Sequence, residues 1–228
     1  MNINPINLYN TQNMCGFGKK LLEKTNVRKP WNDVERVKFF EYDPKNKKDR
    51  KQIYDLKHKI WGRSAKYINE IEYSFSRMTK GSAPEKPIKQ QYFGLENRYG
   101  RTLAIAQVQS SDKKLRLGEL FFENVLKITY IQTKPSEMFT SDQRQYEGLG
   151  EVLVSKIVQQ AKKDGRNSVI LYSTNDNFWI SSGFFQPVPE AKRRGYNTLR
   201  LKAEDFDKYI KFVENKANFE NPYLDIYV

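Results

Sequence analysis

Cysteine and histidine are nearly absent from this sequence of 228 residues, which contains one of each, Cys15 and His58. A single cysteine excludes an internal disulfide framework. One histidine leaves too few ligands for a zinc site and too few partners for a Ser-His-Asp triad. We therefore expect no metal cofactor, and we expect His58, on the charged side of a predicted helix, to face solvent.

Long hydrophobic runs are absent as well. No apolar stretch approaches 18 residues, and the first residues show neither a charged start followed by an apolar core nor a small-residue cleavage site. These absences predict a cytoplasmic protein without a membrane partner.

Acidic residues are outnumbered, with 27 Asp and Glu against 40 Lys and Arg and a formal net charge of +13. Such a surface attracts anions. Nucleic acid is one candidate partner, because 14 Tyr and 14 Phe add stacking groups to the cationic charge. Most of these aromatic residues fall on apolar faces, however, so the composition favours core packing and a small phosphate-bearing ligand.

Two glycines in residues 145–150, QYEGLG, lie between a predicted strand at 126–133 and a predicted helix. The helix is indicated by apolar residues at helical spacing, and Asp164-Gly165 ends it. Glycine at a helix start lets the backbone approach a ligand, and the first-turn amides present positive charge to it. This segment therefore predicts a phosphate-binding loop.

The spacing excludes two common nucleotide motifs. A dinucleotide fingerprint needs a third glycine where Leu153 stands, and no G-x-x-x-x-G-K-[ST] occurs. The segment matches Q/R-x-x-G-x-G/A, the coenzyme A pyrophosphate loop of the GNAT (Gcn-related N-acetyltransferase) superfamily. Residues 175–184, NDNFWISSGF, follow a strand-like run at 168–173 and resemble that family's second signature, N-x-x-(F/L)-Y-x-x-x-G-F. On these two motifs, in the family's order, the chain resembles a GNAT protein.

The resemblance implies a GNAT fold, an α/β (α+β) architecture with a mixed central β-sheet flanked by helices in a single domain at residues 31–228. The sequence patterns agree, with predicted strands at 36–42, 91–95, 102–109, 115–122 and 196–201 and predicted helices at 47–61, 64–78 and around 206–213. Residues 1–30 are polar and lack periodicity, which predicts a flexible N-terminal tail. Residues 136–144 lengthen a connection that is short in the family, and they either shape the acceptor site or form a surface insertion.

The resemblance also implies acetyl-CoA as co-substrate and an amine acceptor that attacks its thioester directly. The backbone amides of Tyr146, Glu147, Gly148, Leu149 and Gly150 would bind the pyrophosphate, with Gln145 capping the loop. Ile131 and Thr133 would offer backbone groups to the pantetheine arm, and Asn175 a polar contact. Phe178 and Trp179 belong to the short helix that covers the coenzyme.

Catalytic residues are less well defined. In many relatives a glutamate takes the proton of the amine, and Glu123, or Glu119 before it, is the candidate here, with water or a backbone carbonyl as the alternative. Trp179 stands where the family usually has the tyrosine that protonates the departing thiolate, and indole has no proton to give. We therefore expect a slow transferase, unless Tyr172, Tyr196 or Ser181 substitutes by proximity; Tyr172 is the named candidate.

The expected activity is acetyl transfer from acetyl-CoA to a primary amine. The sequence does not identify the acceptor, and five classes remain: a polyamine, an amino acid, an antibiotic, a protein lysine and an aminoacyl-tRNA. The alternative is a non-catalytic module of the same fold that binds coenzyme A or RNA.

Overall fold

The computed structural model describes residues 18–30, 33–61, 67–79, 88–111, 115–117, 120–137, 145–173, 176–191 and 197–219. The strands are β1 Lys20–Lys29, β2 Asp33–Tyr42, β3 Ile88–Glu96, β4 Thr102–Ser111, β5 Leu115–Leu117, β6 Leu120–Phe122, β7 Val125–Thr133, β8 Ser168–Ser173, β9 Gln186–Pro187 and β10 Asn197–Lys202. The helices are α1 Lys47–Asp55, α2 Ile68–Thr79, α3 Leu149–Lys163, α4 Asp176–Ile180 and α5 Phe206–Ala217.

Eight strands form one sheet in the order β1-β2-β3-β4-β7-β8-β10-β9. All neighbouring pairs are antiparallel except β7 and β8, which are parallel and joined through α3. The mixed central sheet flanked by helices is therefore confirmed. The single strand predicted at 115–122 is wrong, because β5 and β6 instead pair with each other as a separate two-stranded ribbon.

Hydrophobic clusters of buried residues cover both faces of the sheet. β4 shows why: Ala104, Ala106 and Val108 lie in the core that holds α3 and α5, whereas Ile105 lies in the core that holds α1 and α2. Alternate residues of a strand point to opposite faces, so an unbroken apolar run predicts burial on both sides. The sheet is thus a central layer between two pairs of helices.

Local signals fix the helix ends. The Asn46 side chain accepts hydrogen bonds from the amides of Lys48 and Asp49 and begins α1. The helix predicted at 47–61 is α-helical only as far as Asp55. It continues as a π-helical turn, Leu56–Ile60, in which the Trp61 amide donates to the Leu56 carbonyl at 2.8 Å. His58 in this turn is exposed, as expected, and its ring lies 4.1 Å from that of Tyr54.

The predicted N-terminal tail requires correction. β1 pairs with β2 along its whole length, from Lys20 opposite Glu41 to Lys29 opposite Asp33. Val27 is fully buried in the main core. The domain boundary placed at residue 30 is therefore wrong, because β1 is an integral edge strand of the sheet; residues 1–17 lie outside the described part of the chain.

Candidate functional site

The parallel strands β7 and β8 pair at one end and separate at the other. Their shared register runs from Val125 opposite Ser168 to Ile128 opposite Leu171, and β7 continues for five residues to Thr133. Backbone groups on the β8 side of this extension have no ladder partner in β8, so they can bind a ligand. We call this opening, between β7 beyond Ile128 and β8 beyond Leu171, the fork.

A β-bulge lies at the apex of the fork. Gln107 of β4 is opposite Tyr130, and the next residue, Val108, is opposite Ile128, which leaves Thr129 as the extra residue on β7. The Thr129 hydroxyl oxygen is buried and has no hydrogen-bond partner among the described residues. An unpartnered buried hydroxyl is costly, and a bulge beside it is a feature common near active sites. Sequence reasoning missed Thr129, because no residue pattern marks the bulge.

The β7 wall of the fork carries the two predicted pantetheine residues. Ile131 and Thr133 are both half-buried, and Ile131 packs against the main core. On the opposite face, the Gln132 side-chain oxygen accepts from the Tyr67 amide at 3.2 Å. The structure thus places Ile131 and Thr133 beyond the last β7–β8 pair.

The glycine loop opens α3 at the same end of the sheet. Gly148 is the residue before the helix and has φ of 67°, a left-handed conformation that glycine adopts without strain. The first helical bond runs from the Val152 amide to the Gly148 carbonyl at 2.9 Å. The amides of Leu149, Gly150 and Glu151 precede that bond and therefore lack an intrahelical acceptor.

One predicted phosphate contact requires correction. The Glu147 amide already donates to the Arg28 carbonyl at 2.9 Å, in a bridge between the loop and β1. It cannot also serve as a donor to pyrophosphate in this conformation. Tyr146 is buried, and its hydroxyl donates to Glu35 at 3.0 Å, so its side chain fixes the loop to β2. The Gln145 side chain is exposed and lines a neighbouring cavity.

Two carboxylates near the loop are each paired with a cation. Arg28 lies 3.5 Å from Glu147, and Lys216 of α5 donates to Glu151 at 2.7 Å. Glu151 lies in the first turn of α3, and its ion pair with Lys216 reduces the negative charge that it presents to an anion at the first-turn amides. A Cβ built on Gly150 would meet no atom of the described residues within 4 Å outside its own helix backbone and chain neighbours. Packing within the protein does not require glycine at this position, which favours a ligand as the reason for it.

The short helix α4 follows β8 beside the fork. Trp179 is half-buried against the main core and makes edge contacts with Phe178 and Phe185, at ring-centroid distances of 4.8 and 5.7 Å. Phe178 is half-buried as well. These contacts fix the Trp179 ring in the core next to the fork. The predicted coenzyme contact Asn175 lies outside the described residues, as does Tyr196.

The structure does not bring Glu123 to the fork. Glu123 is exposed and precedes β7 at the end where β7 and β8 are still paired. The eight residue steps from Glu123 to Ile131 correspond to roughly 26 Å along a strand. Glu123 as general base stays a prediction that its position in the structure does not support, and Glu119 lies outside the described residues.

Tyr172 lies next to the apex. It is the first β8 residue beyond the last pair with β7, and it is half-buried. The ammonium group of Lys127, itself buried, lies 4.7 Å from the centre of the Tyr172 ring. By contrast Ser181, the other hydroxyl considered, is exposed and donates to the Phe178 carbonyl at 3.0 Å. Of the two such residues in the described part of the chain, Tyr172 is thus the one that lies next to the fork.

A cavity of about 580 Å³ lies at the same end of the sheet, on the side of α1. It lies between α1, the turn that joins β3 to β4, and the two ends of the connection from β7 to α3. In the described part of the chain no three Cys, His, Asp or Glu side chains are grouped to hold a metal ion. None of the described helices combines the length and apolar composition needed to cross a bilayer.

No protein-family model and no curated protein matches the chain. Its structure is similar to solved N-acetyltransferases. PaiA N-acetyltransferase from Thermoplasma acidophilum, solved with coenzyme A, is 12% identical over 73% of this chain and 98% of its own, with a TM-score of 0.44. An acetyltransferase from Bacillus cereus is 14% identical over 64% and 96%, with a TM-score of 0.34. A chimera of spermidine N-acetyltransferase SpeG from Vibrio cholerae and hSSAT is 10% identical over 76% and 98%, with a TM-score of 0.45. At these values the similarities carry no conclusion about activity.

Proposed function

We propose that this chain is a GNAT-type N-acetyltransferase that transfers the acetyl group of acetyl-CoA to a primary amine. The observation that carries the proposal is the fork: β7 and β8 separate after Ile128 and Leu171. A helix with a glycine loop begins at the same end of the sheet. Ligands of α/β sheets bind outside the carboxyl ends of the strands, where strands diverge and helices begin.

The fork suits an extended amide-containing ligand such as the pantetheine arm. The residues beyond Ile128 present backbone donors and acceptors at strand spacing, as a further strand would require. A backbone amide in this wall is also positioned to stabilise negative charge on the thioester oxygen as the amine attacks. Ile131 and Thr133 are the residues to which we assign these contacts.

The loop suits a pyrophosphate. The amides of Leu149, Gly150 and Glu151 and the positive end of the α3 dipole offer several donors to one anion. The open space above Gly150 admits the anion, and Arg28 and Lys216 offset the carboxylates of Glu147 and Glu151 on the same side. Glu147 is not part of the set, because its amide is already bonded to Arg28.

The chemistry requires few groups from the chain. The neutral amine nitrogen forms a bond to the acetyl carbon, the carbon–sulfur bond breaks, and the sulfur leaves with the electron pair. A thiol with a pKa near 8.5 leaves as an anion at pH 7 at a cost of only about 2 kcal/mol, so a strong acid is not essential. We assign the Thr129 hydroxyl, and Tyr172 beside it, as the donors that stabilise the sulfur or the carbonyl oxygen. Water takes the proton of the amine, since Glu123 is remote from the fork.

The test begins with binding. Saturating acetyl-CoA should raise the melting temperature of the wild-type protein, and Gly150→Glu should abolish the rise, because a carboxylate would occupy the phosphate position. Gly150→Ala is the matched control, since a Cβ at this site meets no atom of the described residues and alanine favours a helix. A wild-type protein that does not respond to acetyl-CoA would refute the assignment of the co-substrate.

Catalysis is then measured as release of free thiol from acetyl-CoA in the presence of polyamines, amino acids, peptides and aminoglycosides. Turnover with any amine supports the transferase. Binding of acetyl-CoA without thiol release from any acceptor would instead favour a non-catalytic module of the same fold.

A further inference from the structure

The cavity beside the fork is lined by cations. Of its charged lining residues four are basic, Lys48, Lys51, Arg101 and Lys134, and one is acidic, Asp55. Asp55 is itself paired with Lys51 and with Lys59, the latter at 3.0 Å, so the positive excess of the lining comes from Lys48, Arg101 and Lys134. The cavity therefore presents a net positive potential to a ligand, and its walls focus that potential.

The floor of the cavity adds no negative charge. Glu96 is buried below it and accepts hydrogen bonds from Lys19 at 2.6 Å, Gln52 at 2.7 Å and Tyr42 at 2.8 Å. Lys19 neutralises this carboxylate, and the surrounding bonds satisfy it. Glu96 therefore adds little negative potential to the cavity.

The wall is also held in one conformation. The Gln52 amide nitrogen donates to both Glu96 and Thr102, and its oxygen accepts from Lys19 at 3.0 Å. Gln52 and Thr102 line the cavity together with apolar residues that include Leu56 and Leu103. A volume of about 580 Å³ is in the range of sites for small organic ligands, and a fixed polar wall lowers the entropy lost on binding.

The cavity is connected to the proposed reaction site. Lys134 follows the last residue of β7, and its amide donates to the Leu103 carbonyl at 2.8 Å. Gln145 and Tyr146, just before the glycine loop, line the cavity as well. From Lys134 to the fork at Ile131 and Thr129 the distance along β7 is about 10 to 16 Å.

We infer that this cavity binds an anionic group of the amine acceptor, a carboxylate or a phosphate ester, and so determines which amines are acetylated. The inference rests on the proposed acetyl transfer and names the acceptor class for it. The anion lies among Arg101, Lys134 and the α1 lysines, and the amine reaches the fork. In an acceptor of this class an extended spacer separates the amine from the anionic group. The spacer is as long as three to five peptide units, at roughly 3.3 Å per unit.

The test compares matched pairs of amines that differ only in the anion. One pair is tetraglycine and tetraglycinamide, and the other is 6-aminohexyl phosphate and 6-aminohexanol. Affinity is measured by calorimetry on the protein saturated with coenzyme A, and acetylation by thiol release from acetyl-CoA. We expect at least one anionic member to bind and react at least about tenfold better than its neutral partner, the contribution of a charged hydrogen bond. The pair that discriminates identifies the anion as carboxylate or phosphate.

Arg101→Gln and Lys134→Gln should remove most of that preference without changing the affinity for coenzyme A. Arg98→Gln is the matched control, because Arg98 is an exposed arginine of the same turn, stacked on Tyr99 at 4.8 Å and not part of the cavity lining. Equal affinity for both members of each pair, including no binding of either, would overturn the inference. So would a loss of coenzyme A affinity in these variants, which would assign the cavity to the phosphates of the co-substrate. A wild-type protein that does not bind acetyl-CoA would instead refute the proposed function.

Discussion

Thr129 shows how a single residue in a regular strand can acquire a chemical role. The bulge removes it from the antiparallel register with β4, and its position is one residue beyond the last pair with β8. Its hydroxyl is buried without a partner among the described residues, which is unfavourable for folding alone. A ligand in the fork would supply the missing partner.

Replacing Thr129 by valine tests this role. Valine has nearly the same shape and removes an unsatisfied polar atom, so Thr129→Val should leave the free energy of unfolding unchanged or slightly higher. Turnover should fall by about 10- to 100-fold if the hydroxyl donates to a group that becomes charged. Urea unfolding and thiol release measure the two effects.

Ser110→Ala is the control for Thr129→Val. The Ser110 hydroxyl is also buried and unpartnered in the described part of the chain, but Ser110 lies on β4 opposite Leu126, at the closed end of the β7–β8 pair. Removal of the Ser110 hydroxyl should change turnover and the free energy of unfolding only slightly. Unchanged turnover in Thr129→Val would show that the hydroxyl has no part in the reaction.

At the scale of elements, most strands and helices could be predicted, since their apolar residues recur at the strand or helix period. The helix α3 begins and ends where Gly148 and Gly165 indicate, and Gly165 has the left-handed φ of 66°. The fork itself could not be predicted from the residues, because strand separation depends on register. The cationic cavity was missed for a similar reason: its lysines and arginine come from three separate segments and appear as ordinary surface charge in the sequence.

β1 was missed for a different reason. Its sequence alternates charged and apolar residues only weakly, as Lys20–Lys29 read KLLEKTNVRK, and charged residues are common on an edge strand, where they discourage pairing with other chains. Tertiary pairing with β2 overrides the weak local signal. The Arg28 carbonyl at its end then holds the glycine loop through Glu147, so β1 contributes to the site as well as to the core.

Val27→Ala tests the role of β1 in the core. Val27 is fully buried, and the loss of two carbon atoms from the packed core should lower the free energy of unfolding by about 2 kcal/mol. Val34→Ala on β2 is the control, because Val34 is 37% exposed and its replacement should lower the free energy of unfolding much less. Urea denaturation of both variants provides the comparison, and equal small losses would show that β1 is not an integral part of the core.

In the molecule as a whole, the proposed reaction site lies at one end of the sheet, and helices pack on both of its faces. The core of α1 and α2 and the core of α3 and α5 leave space for a ligand at the end where strands separate and α3 begins.

Several tyrosines contribute their rings to these cores and are buried with their hydroxyl groups. Burial raises the pKa of Tyr92 to about 12, although a hydrogen bond with Ser74 opposes the shift. Burial likewise raises the pKa of Tyr42 and of Tyr209 well above 10.

These tyrosines predict a loss of stability in alkaline solution. A folded-state pKa above the unfolded value of about 10 means that the contribution to stability is complete below pH 10 and is lost as the pH rises towards 12. Each such tyrosine should lower the free energy of unfolding by about 1.4 kcal/mol per pH unit in that window. Tyr92→Phe should therefore reduce the slope of stability against pH by this amount, as measured by urea unfolding at several values between about pH 9 and 12. Tyr73→Phe is the control, because Tyr73 is 61% exposed and its hydroxyl is accessible to solvent before and after unfolding. An identical slope in Tyr92→Phe and the wild type would show that the buried hydroxyl does not stay protonated in the folded protein.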